Sequence, residues 1–160
     1  MKLLLLISIV MTSFFFSACS EKTLTVSNHA FPQQKEAKRI TLFVLQNYTD
    51  TPRAGMRASN IVEGLLGAKG YNVVTVTQNV QKSNLAAIAK ENNSAYYMTG
   101  AVSEWRYKTG IDGEPAVSLR LALYETQTGI LVWSATGANN DWGAGSIGTT
   151  AQSLIEDMLQ

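Results

Sequence analysis

The sequence predicts an α/β fold: a mixed sheet with helices packed against it, in the chain order β-α-β-α-β-β-β-α. Three observations predict it. Residues 40–46 (ITLFVLQ) form a continuous apolar run, as in a strand covered on both faces. Between 54 and 89, stretches with apolar residues at helical spacing flank a β-branched run, so the strands they connect must pair in parallel through crossovers. From 95 onward the strands are joined by short turns, which demand an antiparallel meander.

Met1 and Lys2 give a short basic start, 3–16 is apolar, and Ser17 and Ala18 precede Cys19. Residues 1–18 therefore read as a secretory signal ending in a lipobox, and the mature chain is expected to begin at an acylated Cys19. A single acyl chain anchors marginally, at about 0.8 kcal/mol per buried methylene, whereas a multiply acylated cysteine holds lastingly. A spanning helix over 3–18 is the other reading, but it falls short of the roughly 20 residues a bilayer requires. A leftover thiol after ordinary signal cleavage is a third. Cys19 is the only cysteine, so no disulfide can form within the chain. Ser20 follows it, and the bacterial sorting rule then points to the outer membrane, with the domain on the periplasmic face.

Residues 19–39 read as the lipidated cysteine and a polar linker, partly laid along the domain through Leu24, Val26 and Phe31. Fully extended, 20–39 would reach at most about 65 Å. Residues 40–160 read as a single α/β domain. After the apolar run, NYTDTPR at 47–53 breaks the strand, and Ala58, Ile61, Val62, Leu65 and Leu66 mark a helix over 54–69 ended by Gly70. The run YNVVTVT at 71–77 is the second strand. Ser83 is positioned to cap a second helix carrying Leu85, Ala86, Ile88 and Ala89.

A long strand follows over 95–108. In the next strand Leu119, Leu121 and Leu123 alternate with Ser118, Arg120, Ala122 and Tyr124, one buried face against one polar face. The polar face is left for solvent, a partner or another copy. The turn TQTG at 126–129 leads into a strand over 130–137, then a glycine-rich loop over 137–145. A final helix is lined by Ile147, Ala151, Leu154, Ile155 and Met158.

Composition narrows the functional classes. The formal charge is +1, and loss of Lys2 with the signal takes it to zero, which leaves no footprint for nucleic acid. The only histidine, His29, lies in the linker, so neither a Ser-His-Asp triad nor a histidine-based metal site can form within 40–160. The spacing GAGSIG at 143–148 matches a dinucleotide fingerprint, but that site needs a following strand and an acid about 20 residues on, and the sequence ends at Gln160. No catalytic residue, metal or cofactor is expected.

The stretch EWRYKTGIDGEP at 104–115 crowds aromatics, both charge signs and turn formers into one strand end and loop. Trp105, Arg106 and Tyr107 are candidates for sugar or subunit contact, the alternative being aromatics packed into the hairpin core. Glu104, Asp112 and Glu114 read either as a carboxylate set or as solvated charges compensated by Arg106 and Lys108. Trp133 fits the core. Trp142 lies in a loop, suited to the membrane interface, to capping the last helix or to a subunit contact.

The segments YMTGAVSEWRYKTGIDGEP at 97–115, VWSATG at 132–137 and Trp142-Gly143 resemble the PelC family, outer-membrane lipoproteins of the Pel exopolysaccharide system. The alternation of strands and helices is also similar to TolB-N-terminal-like and CsgG-like envelope domains. The resemblance implies a non-catalytic periplasmic ring of identical subunits, dodecameric in the family. Such a ring cooperates with the outer-membrane porin PelB to pass a cationic, amino-sugar-rich polysaccharide. It further implies an acidic funnel, carried over to Glu104, Asp112, Glu114 and Asp141, and a membrane belt, carried over to Trp142. The alternatives are a regulatory lipoprotein acting on a peptidoglycan synthase, a curli-type export subunit and, last, a periplasmic glycosidase.

Overall fold

Alternation along one long strand sets the architecture, because it gives the sheet one face that must be covered and one that need not be. The computed structural model describes residues 24–33, 38–107, 113–141 and 145–160. In chain order these form β1 (Leu24–Ser27), β2 (Arg39–Phe43), β3 (Gln46–Asn47), α1 (Ala54–Ala68) and β4 (Asn72–Val76), followed by α2 (Leu85–Glu91), β5 (Tyr96–Tyr107), β6 (Pro115–Glu125), β7 (Leu131–Asn140) and α3 (Ile147–Met158). The strands make one mixed sheet in the order β1-β7-β6-β5-β2-β4, with β3 pairing with β5 beyond the end of β2. β2 runs parallel to β4 and β5, and the β5-β6-β7-β1 side is antiparallel throughout.

The main core lies on the face carrying Leu119, Leu121 and Leu123, each about 1% exposed. Ala58, Val62 and Leu66 of α1 and Ala151, Leu154, Ile155 and Met158 of α3 pack onto it. The opposite face has helix cover at one end only. There Ala89 of α2, with Leu85, Ala86 and Ile88 beside it, packs on Phe43, Tyr97 and Tyr124. Phe43 follows Leu42 in β2 and so points to the other side, which is why α1 and α2 sit on opposite faces.

The expected long strands and helices are present, and four details differ. The run at 40–46 is split: β2 ends at Phe43, Leu45 turns into the core with its N–H donated to Ser59 Oγ at 2.9 Å, and the chain resumes as β3. Part of the stretch read as linker belongs to the packed unit, since β1 pairs with β7 from Leu24↔Ala138 to Ser27↔Ala135. Phe31 plugs the core edge-on to Trp133 and Tyr71, while Val26 faces outward.

The strand expected over 130–137 runs on to Asn140, because β6 and β1 hold Gly137 and Ala138 in register although neither residue favours a strand. Finally, Ser83 lies in a single 3-10 turn (Lys82–Asn84) instead of capping α2, whose N-cap residue is Asn84. The well-capped helix is α3. There Ser146 Oγ accepts from the Thr149 N–H at 3.2 Å and Thr149 Oγ1 accepts from the Ser146 N–H at 2.9 Å, a reciprocal capping box.

Candidate functional site

Most of the described candidates gather where β5 ends, β6 begins and β7 ends. The register Tyr107↔Pro115 and Ala116↔Asn140, with the Asp141 N–H donated to Pro115 O at 3.2 Å, sets Tyr107, Glu114 and Asp141 together at one end of the central strands. A bulge between Val102 and Glu104 resets the alternation in β5. One extra residue turns each later side chain to the other face.

That bulge decides which residues meet solvent. Trp105 is 2% exposed within the main core, so its candidacy for a sugar or subunit contact is corrected: past the bulge it faces the helices. Glu104 and Arg106 point outward instead, and pair at 3.0 Å between Glu104 Oε1 and Arg106 Nε. Such an exposed pair contributes little to stability, about 0–1 kcal/mol. Tyr107 is half exposed, and its hydroxyl accepts the Ile147 N–H at 3.2 Å, tying the end of β5 to the start of α3.

The acidic candidates divide in the same way. Glu114 is 8% exposed and engaged within the fold, so in the single chain it is a buried group and not an open lining charge. Asp141 is half-buried, and its carboxylate occupies the space a side chain would need at Gly145, where a Cβ would fall 1.6 Å from Asp141 Oδ2. This explains one glycine of the GAGSIG spacing without a nucleotide. A Cβ there would displace the Asp141 carboxylate from the entry to α3, where negative charge is favoured by the helix dipole. Cys19, Asp112 and Trp142 lie outside the described residues.

The sequence pointed to no site residue in the loop between β3 and α1. Tyr48, Thr49, Asp50 and Thr51 stand beside Ser103, Glu104, Arg106 and Ser118 around a surface cavity of about 400 Å³. Thr51 Oγ1 donates to Trp105 O, and Asn47 Oδ1 accepts from Thr49, which fixes the loop over β5. Asp50 thus joins Glu104 as an exposed acid on this side, a pairing that no local spacing reveals. Among the described residues no group of histidine, cysteine, aspartate or glutamate side chains could hold a metal ion, and no helix is long and apolar enough to cross a membrane.

No protein-family model and no curated protein matches the chain. Solved structures do. A PelC dodecamer from Paraburkholderia phytofirmans is 33% identical with a TM-score of 0.76, the match covering 86% of this chain and 95% of that one. A point variant of the same dodecamer gives 34% identity and a TM-score of 0.72 over 86% and 96% of the two chains. A lipoprotein from Neisseria meningitidis shares the fold, at 16% identity and a TM-score of 0.56 over 75% of this chain and 96% of that one.

Proposed function

Because this chain belongs to the PelC family of the Pel exopolysaccharide system, we propose that it is a non-catalytic, lipid-anchored subunit of a periplasmic ring that guides a cationic polysaccharide toward the outer-membrane porin PelB. The observation that carries this reading is the 33% identity to a dodecameric PelC over 95% of that protein's length. The signal and Cys19 supply the anchor in it, and the acylated cysteines of a ring place every copy at one height beneath the outer membrane. Trp142 sits at the lipid interface, where an amphipathic ring is favoured.

The mechanism is a field rather than bond chemistry. One carboxylate repeated around a ring sums into a potential that a low-dielectric wall focuses on a passing polycation. In this reading Glu104 and Asp112 of the hairpin supply it, with Asp50 beside Glu104 in the fold. Arg106 offsets part of the charge of Glu104 at 3.0 Å, so the field depends on the ring context more than on any one side chain. Glu114 is unsuitable as a probe because reversing a buried charge tests folding first.

The experiment is polymer export in cells carrying Glu104→Lys with Asp112→Lys, alongside the mass of the assembled protein. Export is expected to fall while assembly persists. Unchanged export with the reversed charges in place contradicts the proposed role.

A further inference from the structure

The open face of the sheet holds a second, larger cavity, of about 690 Å³, which the export reading does not use. It lies at the carboxyl ends of the parallel strands β2 and β4, against the loop after β4 and the outward faces of β5 and β6. The β2–α1–β4 and β4–α2–β5 crossovers lie on opposite faces, and crevices at such a switch point are where open α/β sheets take ligands. Its volume falls in the range of roughly 300–1,000 Å³ typical of small-molecule sites.

The lining is chemically one-sided. Arg120 and Lys82 face the cavity, and among the described residues no aspartate or glutamate lines it and neither cation has an ion-pair partner. Tyr48 and Tyr124 flank it, and Gln46, Gln78 and Asn79 bring three amides, that of Asn47 being engaged with Thr49 and Thr51. Tyr48 is 66% exposed and held upright by donating its hydroxyl to Gln46 Oε1 at 2.6 Å. Tyr124 stacks on Tyr97 with ring centroids 5.0 Å apart. Burial, helped by Tyr124, raises the Tyr97 pKa above the ordinary tyrosine value, so the phenol beneath the cavity stays neutral.

We propose that this cavity binds an acidic saccharide, a carboxylate-bearing sugar chain distinct from the cationic polymer of the export reading. Side-chain amides both donate and accept, which matches vicinal hydroxyls, and exposed tyrosines offer an apolar face with a polar tip. The guanidinium of Arg120 matches a carboxylate in a bidentate fork, with Lys82 as a second positive charge. A polycation meets two like charges here and no acid, so it is excluded by the same lining.

Titration calorimetry of the detergent-solubilised mature chain tests this with three probes: trigalacturonate, the neutral maltotriose and a cationic trimer of glucosamine. Trigalacturonate is expected to bind, with affinity falling as salt rises, while the neutral and cationic trimers bind at least about tenfold more weakly. Arg120→Gln and Lys82→Gln should each weaken trigalacturonate about tenfold, and Arg120→Lys less than Arg120→Gln. The proposal is overturned if trigalacturonate fails to bind, if the glutamine variants bind it unchanged, or if the three trimers bind equally. A change of oligomeric mass in Arg120→Gln also overturns it, because a neighbouring subunit would then be the occupant.

Discussion

The two faces of the β5-β6-β7 sheet carry the same strands and do opposite things. On the covered face Leu119, Leu121 and Leu123 are sealed by α1 and α3. On the other, Ser118, Arg120 and Tyr124 meet only α2 at one end, leaving cavities of about 400 and 690 Å³ separated by Tyr48. The difference teaches that one strand's alternation divides stability from recognition residue by residue. Substitutions one position apart should therefore act on different observables.

The largest break in that comparison is expected from Leu121→Ala. It removes a fully buried side chain and should cost about 2–5 kcal/mol in urea unfolding, with the fold otherwise retained. Next is Ser59→Ala, which takes away the acceptor of the buried Leu45 N–H where β2 gives way to β3. An unsatisfied buried donor costs about 1–3 kcal/mol. Ser146→Ala, which opens the capping box of α3, should cost about 1 kcal/mol by the same assay.

A smaller effect is confined to alkaline solution. The Tyr97 pKa is raised in the folded chain by burial and then by Tyr124. Its contribution is whole below the ordinary tyrosine value of about 10 and is lost as pH rises through the folded-state pKa. Stability measured above pH 10 should therefore fall less steeply in Tyr97→Phe. Smallest of all is Arg120→Gln on the open face, one position from Leu121, expected to change stability by no more than about 0.5 kcal/mol. A loss matching that of Leu121→Ala would erase the distinction between the faces.

What was legible in the sequence follows the same division. The alternation at 118–124 and the helical spacing of Ala58, Val62 and Leu66 report burial directly, so the main sheet and its helices could be read in advance. β1 and the end of β7 could not, because Leu24–Ser27 is too short for a period and Gly137 and Ala138 are poor strand formers held by their neighbours. Trp105 stayed open between contact and core for a related reason: the bulge before Glu104, which turns it to the core, is a property of the pairing with β6, invisible along one strand. Tyr48 and Asp50 reach Glu104 and Ser118 only through the fold of the β3–α1 loop. The family resemblance, by contrast, rests on contiguous residues such as 97–115, and the matched structures bear it out at 33% identity.

Without a ring neither the proposed summed field nor the common height of the anchors exists. Native mass spectrometry of residues 20–160 at micromolar concentration tests it most directly. One discrete large species is expected, twelve subunits if the assembly follows the matched dodecamer. A chain that remains monomeric across that concentration range would contradict it.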